Sequence, residues 1–267
     1  MNDKMKIEPK WKRSSEEIWR DHFEEVTSVD KVSRLDFALI KKYAFYYAAA
    51  AIVVIALLPL LFSKNVVSLR GEHISCTLPD GSVVNLNAES ELTYNSLIWF
   101  ISRGVKMNGE AYFEVEKGAK FTVKTKNGDV RVLGTKFNVF SRGDEFAVTC
   151  ITGRVEVKSG NRVILEKNEG VRMANNGELK LISEPDMENV ISWKNDVFYF
   201  TSVPLNKVIE EVMRQYDVEI EYAENNNYIY TGNFSKESTI EEVLEIVSLP
   251  FGLRAEKRGN GYKLVSQ

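Results

Sequence analysis

The fold class is decided by residues 121–150, which read FTVKTKNGDVRVLGTKFNVFSRGDEFAVTC. Apolar residues recur at every second position, as at Phe121 and Val123, so each short segment has one apolar face. Turn signals such as the Asn-Gly-Asp of residues 127–129 separate these segments. The same alternation continues on both sides of the stretch. We therefore predict an all-β domain over residues 75–183, built as a sandwich, a roll or a solenoid.

A smaller module with helices follows a linker at residues 184–192. Residues 193–267 contain two apolar stripes at helical spacing, each next to a strand-like run. Residues 208–213 are similar to residues 239–244, which predicts two β-α-β halves whose helices pack on one small sheet. A chance match between common helix residues is the alternative. A hairpin with a glycine-containing turn is predicted within residues 253–265.

An uncharged stretch of twenty residues, 43–62, precedes the β-rich region. At about 1.5 Å per residue, a helix of this length matches the roughly 30 Å hydrocarbon core of a bilayer. We expect a transmembrane helix from Tyr43 to Phe62, and then a linker at residues 63–74. A cleaved signal peptide and a buried helix of a soluble protein are the alternatives. The long preceding segment disfavours the first, and the lack of a polar stripe disfavours the second.

Positive charges near the ends of this stretch predict its orientation, because cytoplasmic flanks carry an excess of Lys and Arg. Within fifteen residues there are four such residues before the stretch and two after it. They are Lys31, Arg34, Lys41 and Lys42 on one side, and Lys64 and Arg70 on the other. The N-terminus is therefore expected in the cytoplasm of a bacterium, and the two larger modules in the periplasm.

The cytoplasmic arm, residues 1–42, is too short to build its own core. Ser14 and Glu17 have the spacing of a capping box that opens a helix. Four apolar residues of this helix form the candidate partner-binding face. They are Ile18, Trp19, Phe23 and Val26. The polar face is mostly acidic, which favours capture by another protein over contact with the bilayer surface. A stalk helix without a partner is the alternative.

Composition argues against several classes of function. The net charge of −3 leaves no basic footprint for direct binding of nucleic acid. Two histidines, His22 and His73, lie far apart in the sequence, so no metal site is expected. Cys76 and Cys150 are expected to be buried free thiols, with a single disulfide as the alternative.

No catalytic motif is present, so we expect neither an enzyme nor a cofactor. Glu110, Glu114 and Glu116 alternate along one predicted strand, and a carboxylate pair is conceivable there. Alternation of this kind is typical of the solvent-facing side of a strand, and we interpret the three residues in that way.

Several motifs in order resemble the FecR family. They are LPDGSVVNLNA at 78–88, GEAYFEV at 109–115, FTV at 121–123 and VLGTKFNV at 132–139. Towards the C-terminus, FTSVPL at 200–205 and YTGNF at 230–234 are similar to the secretin/TonB short N-terminal-like domain. The resemblance covers about residues 75–267, and the membrane segment by its position.

The resemblance implies a single-pass inner-membrane regulator, often an anti-sigma factor. Such a protein senses the N-terminal signalling domain of a TonB-dependent outer-membrane transporter in the periplasm. In the cytoplasm it controls an extracytoplasmic-function sigma factor, and so the transcription of genes for iron or glycan uptake. A membrane-tethered periplasmic binding or scaffold protein is the alternative function, and an envelope enzyme is a third.

Overall fold

The structure, a computed structural model, describes residues 13–27, 37–183, 185–222 and 227–267. Within these ranges it leaves out the side chains of residues 22–27, 37–40, 42, 45, 59, 60 and 183. The chain divides into two compact units, residues 1–57 and residues 58–267.

Two helices precede the β-rich region. Helix α1 spans Ser15–Thr27 and helix α2 spans Phe37–Leu61. The large apolar side chains described between Tyr43 and Leu58 are exposed. Among the described residues, no helix meets the combined requirement of length and apolarity for crossing a bilayer.

Thirteen strands follow, and no helix interrupts them in the part of residues 63–183 that the structure describes. They are β1 Ser63–Ser68, β2 Ile74–Thr77, β3 Val83–Leu86, β4 Ser90–Asn95, β5 Arg103–Glu114, β6 Phe121–Lys124, β7 Asp129–Val132, β8 Lys136–Arg142, β9 Glu145–Thr152, β10 Val155–Ser159, β11 Asn161–Leu165, β12 Glu169–Met173 and β13 Leu179–Ser183. The prediction of a mainly β fold is confirmed.

These strands form two sheets that share one long strand. The first sheet has the order β1-β4-β5-β6-β7-β10-β11, and the second has the order β2-β3-β5-β8-β9-β12-β13. All neighbours are antiparallel except β5 and β6. The thirteen strands thus form one nearly closed sheet that folds into two packed layers joined by β5, and we call this domain the β-sandwich.

Strand β5 passes from the first sheet to the second at Gly109. Its first half pairs with β4 and β6, and its second half pairs with β3 and β8. Gly109 has φ of +103°, and a Cβ atom there would lie 2.6 Å from the Cβ atom of Ser90. A residue with a side chain would clash at this bend, so glycine allows the strand to change sheets.

The core lies between the two sheets and uses the alternating residues of both. Phe113 on the second sheet stacks on Phe137, with ring centroids 4.9 Å apart. Phe121 on the first sheet meets Phe113 edge to face at 6.2 Å. All three side chains are fully buried. The apolar face predicted from the period of two therefore becomes the contact between the sheets.

The C-terminal module mixes short helices and strands. Its elements are α3 Met187–Ile191, a 3₁₀ turn at Ser192–Asn195, β14 Val197–Pro204, α4 Leu205–Tyr216, β15 Ile220–Glu221, β16 Ile229–Ser235, α5 Ile240–Ser248, a 3₁₀ turn at Leu249–Phe251, β17 Leu253–Arg258 and β18 Gly261–Ser266. Thr239 and Glu242 form the capping box of α5, with mutual hydrogen bonds of 3.3 Å and 2.8 Å.

The two predicted β-α-β halves are present, but the prediction of one small sheet is wrong. Strand β14 pairs only with β16, whereas β15 joins β18 and β17 in a separate sheet. The predicted hairpin is β17–β18. The second strand of this hairpin, β18, pairs with β17 on one side and with β15 on the other. Helices α4 and α5 share one core with both sheets.

Two stretches where the sequence predicts linkers contain regular structure. Residues 63–74 include β1, whose residues Ser63 and Ser68 pair with Asn95 and Ser90 of β4. Strand β1 is short and its burial pattern is irregular, so its sequence does not show the alternation of apolar and polar residues that predicts a strand. Residues 184–192 include helix α3, which is a single turn and too short to show a helical stripe.

Candidate functional site

The arm helix α1 presents apolar side chains to solvent. Its capping box is confirmed, since the backbone amides of Ser14 and Glu17 each donate to the other residue's side chain at 3.3 Å. Ile18 is 39% exposed and Trp19 is 59% exposed. The side chains of Phe23 and Val26, the other two predicted partner-binding residues, lie outside the described residues. The partner-binding role of all four stays a prediction.

A second candidate site, which the sequence did not indicate, is the contact between the β-sandwich and the C-terminal module. Its centre is Gln215, on the last turn of α4, which has no exposed surface. The amide nitrogen of Gln215 donates to Asn87 at 2.8 Å and to Glu211 at 2.7 Å. Its amide oxygen lies 3.0 Å from Nε2 of His73. We call Gln215 and the polar side chains around it the interface cluster. Its other members are His73, Asn87, Glu110, Asn138, Arg142 and Glu211.

Two carboxylates of this cluster come from opposite sides of the contact. Glu110 on β5 accepts hydrogen bonds of 2.8 Å from both Asn87 and Asn138. Burial, and then the charge of Glu211, raise the pKa of Glu110. Burial opposes ionisation of Glu211 as well, but Arg214 and Arg142 more than offset it, and its pKa is lowered. The interpretation of Glu110 as a solvent-facing charge is therefore wrong, because α4 covers this face of the strand.

Arg142, at the end of β8, is a positively charged side chain that the β-sandwich contributes to the interface cluster. Its guanidinium donates to the backbone carbonyls of Ala88 at 2.6 Å and Glu89 at 2.8 Å. Its side chain is 14% exposed. Burial lowers the pKa of Arg142, and the charge of Glu211 acts in the opposite direction. Arg142 thus holds the β3–β4 connection, and its charge acts on a carboxylate of the other module.

His73 lies at the edge of the same contact, between an aromatic pocket and two acceptors. Its ring meets Trp193 edge to face at 5.5 Å. Its Nδ1 atom is 3.2 Å from a carboxylate oxygen of Asp196, opposite the bond with Gln215. Burial, and then the charge of Lys236, lower the pKa of His73. A neutral ring can donate through one nitrogen only, so one of these two contacts lacks its proton at neutral pH.

Ion pairs surround the buried cluster. Arg70 lies 2.5 Å from Glu219, and Lys207 lies 2.8 Å from Glu145. Lys194 lies 3.7 Å above the ring of Tyr112. Tyr112 itself, although on β5, belongs to the apolar core of the C-terminal module. Exposed pairs of this kind contribute little each, so the buried cluster and the shared apolar contacts hold the two modules together.

The interface cluster has titratable groups but not the arrangement for catalysis. Its carboxylates are taken up by amides and guanidinium groups, and the cluster contains no nucleophile next to a base. Among the described residues, no group of three or more His, Cys, Asp or Glu side chains could hold a metal ion. The role that the cluster supports is structural, because its hydrogen bonds and charges fix the position of one module on the other.

Only one feature of the sequence could have indicated this contact, namely a polar residue within the apolar stripe of α4. Leu205, Val208 and Val212 form the apolar stripe of α4, and Gln215 follows them at the next position of the stripe. A polar residue at a buried stripe position requires partners. Glu211 is one turn away on the same helix, but Asn87 and His73 are 128 and 142 positions away in the sequence, and no sequence pattern indicates that they are partners.

Both cysteines are free, as expected, but only Cys150 is fully buried, whereas Cys76 is half-buried. Cys150 is fully buried, and burial together with Glu166 and Glu169 raises its pKa to about 11. Burial also raises the pKa of Cys76.

Cys150 is therefore expected to resist alkylation in the native protein. A pKa of about 11 in place of 9.0 lowers the thiolate fraction at pH 8 about a hundredfold. Intact-mass measurement after treatment with iodoacetamide would show the remaining reaction, with the urea-unfolded protein as the control in which both thiols react. Fast modification of Cys150 in the native state would contradict the buried placement.

Comparisons with known proteins agree with the resemblance. The family model described as FecR protein matches residues 64–156, and the model described as FecR, C-terminal, matches residues 197–264. Two crystal structures of a candidate anti-sigma factor from Parabacteroides distasonis ATCC 8503 are similar to this chain. Both are 32% identical with a TM-score of 0.70; they cover 77% and 76% of this chain, and 99% of their own. None of the curated proteins matches significantly. The chain therefore belongs to the FecR family of regulatory proteins.

Proposed function

We propose that this protein is a single-pass inner-membrane anti-sigma factor. In this proposal it relays the occupancy of a TonB-dependent outer-membrane transporter to an extracytoplasmic-function sigma factor, and so controls transcription of nutrient-uptake genes. The observation that carries the proposal is family membership across both outer modules. The similar Parabacteroides protein, described as a candidate anti-sigma factor, supports it.

The apolar stretch at residues 43–62 supports the proposed location in a membrane. Side chains such as Tyr47, Ile52, Ile55 and Leu61 are exposed, although they are strongly apolar. A soluble protein rarely leaves such a continuous surface in water, whereas a bilayer covers it. The bias of Lys and Arg towards the N-terminal flank supports a cytoplasmic arm and periplasmic modules.

The outer modules are suited to act as one receiver. The interface cluster fixes the C-terminal module on the β-sandwich, so binding of a transporter's signalling domain to either module would act on a single body. The apolar side chains of α1 supply the other end of the relay. Ile18 and Trp19 project from a short helix, and helices of this kind bind in apolar grooves of partner proteins.

Replacing Trp19 with alanine is expected to weaken binding of the sigma factor at least tenfold. Buried tryptophans are frequent hot spots, and truncating one costs about 2 kcal/mol or more of binding free energy. The measurement is capture of sigma factors from host cytoplasm by the full-length protein in detergent, followed by titration of the captured factor.

Arg20→Ala is the comparison variant, because Arg20 is an exposed charged residue of the same helix, directly after Trp19. Its affinity should stay within about twofold of the wild type. Failure of the unmodified protein to capture any sigma factor would remove the proposal. A retained response after replacement of residues 1–42 by an unrelated segment would favour the periplasmic scaffold function.

A further inference from the structure

The loop between β4 and β5 places two large apolar side chains in water. Residues 96–102 read SLIWFIS, and within them Phe100 is 90% exposed and Ile101 is 89% exposed. No other large apolar side chain described in residues 63–267 is exposed to this extent. A pair of neighbouring side chains of this kind on a folded domain marks a contact surface.

The loop holds these two side chains out by its own structure. Trp99, directly before them, is 1% exposed and meets the rings of Tyr94 at 5.7 Å and Phe121 at 5.9 Å. The turn is closed by a 2.9 Å hydrogen bond from the amide of Ser102 to the carbonyl of Ile98. Because Trp99 ties the loop to the core, Phe100 and Ile101 cannot fold back onto the sandwich.

The loop begins where the apolar stretch of the chain ends. The backbone amide and the hydroxyl of Ser96 both donate to the carbonyl of Phe62, at 3.1 Å and 3.2 Å. Ser63, the first residue of β1, pairs with Asn95. Phe62 is the last residue of the proposed membrane span, so the loop starts within hydrogen-bonding distance of the point where the chain would leave the bilayer.

Basic side chains flank the loop. Lys64 follows Phe62 by two residues and is exposed. Lys120 is exposed as well, and it neighbours the end of the loop because β5 and β6 run parallel with Arg103 beside Phe121. An apolar tip with lysines at its edge is the composition of surfaces that enter the headgroup region of an anionic bilayer.

We propose that Phe100 and Ile101 insert into the outer face of the bilayer that holds residues 43–62. The loop is then a second lipid contact of the β-sandwich, beside the span, and it sets the angle of the sandwich to the membrane. The expected depth is about 5–10 Å, at the boundary of headgroups and acyl chains. The inference rests on the proposed membrane anchor.

The test uses full-length protein reconstituted in vesicles of phosphatidylethanolamine and phosphatidylglycerol. An Ile101→Cys variant carries an environment-sensitive fluorophore, and the unsubstituted protein gives the background labelling of Cys76 and Cys150. Lipids brominated high on the acyl chain should quench the fluorophore more than lipids brominated near the chain end. Phe100→Asp in the same labelled protein should reduce the quenching at least twofold.

Two further labelled variants separate the possible outcomes. Ile52→Cys reports on the span, and Leu181→Cys reports on an exposed apolar position of the edge strand β13. Quenching at Ile52 and Ile101 but not at Leu181 supports the proposal. If the label at Ile52 is quenched but the label at Ile101 is quenched no more than the label at Leu181, the loop contact is overturned and the anchor stands. Lack of quenching at Ile52 overturns the anchor itself. An Ile101 label that is shielded from water but not quenched by lipid would indicate a protein partner, which also overturns the proposal.

Discussion

Replacing Phe113 with alanine is expected to lower the free energy of unfolding of the β-sandwich by about 3–5 kcal/mol. The ring is fully buried, stacks on Phe137 at 4.9 Å and meets Phe121 at 6.2 Å. It therefore joins the two sheets. Removal leaves a cavity that the surrounding strands cannot close, because β5 belongs to both sheets and cannot move towards either one.

Urea unfolding of the full-length protein in detergent, followed by fluorescence of its tryptophans, measures this effect. The matched control is Ile164→Ala on β11, since Ile164 is an apolar residue that is half exposed. Its effect should stay within about 0.5–1 kcal/mol. Equal losses in the two variants would mean that Phe113 does not hold the sheets together.

The sequence predicts the faces of the strands better than their partners. The period of two correctly assigns Phe121, Val123, Phe137 and Val139 to the interior, because burial of one face is a local property of a strand. Pairing is not local. The sheet order and the parallel pairing of β5 with β6 depend on contacts between distant segments, and no residue pattern within one strand encodes them.

Short-range signals were the most reliable guide in the helical parts. The capping box predicted at Ser14 and Glu17 is present, and a second one with the same spacing opens α5 at Thr239 and Glu242. Each involves residues three positions apart, so tertiary structure has little chance to override it. The hairpin β17–β18 is reliable for the same reason.

The interface cluster could not be predicted from short-range signals of this kind. Glu110 has the sequence context of a solvent-facing strand residue, and it would be one if the sandwich were alone. The C-terminal module covers that face, and Asn87 and Asn138 then supply the hydrogen bonds that water would otherwise make. Whether a second module covers a surface depends on the complete fold, so the site could not be predicted from either module's pattern.

Replacing Arg142 with methionine is expected to destabilise the contact between the modules by about 3–5 kcal/mol. Methionine has a similar length but no charge, so the variant tests the guanidinium and not the packing. Loss of the guanidinium removes its hydrogen bonds to the carbonyls of Ala88 and Glu89, although the carbonyl of Ala88 keeps a 3.3 Å hydrogen bond from the Ser90 hydroxyl. It also removes one of the two cations that keep the pKa of Glu211 low.

The pH dependence of this destabilisation shows whether it comes from the lost charge of Arg142 or from changed packing. With Arg142 present, the lowered pKa of Glu211 contributes stability above the carboxylate's usual pKa, and this contribution disappears as the pH falls through the lowered value. Without Arg142 the pKa of Glu211 rises. The difference in unfolding free energy between wild type and variant should therefore be larger at pH 7 than at pH 4.

Arg162→Met is the matched control, because Arg162 forms an exposed ion pair with Glu156 on the surface of the sandwich. Removing an exposed pair should cost no more than about 1 kcal/mol. Limited proteolysis of the connection at residues 184–192 gives a second readout, since separation of the modules would expose it. If Arg142→Met and Arg162→Met behave alike, the modules are not held by the buried cluster. If only Arg142→Met loosens them, the buried cluster couples one module to the other, and under the proposed function the variant should also weaken the transcriptional response.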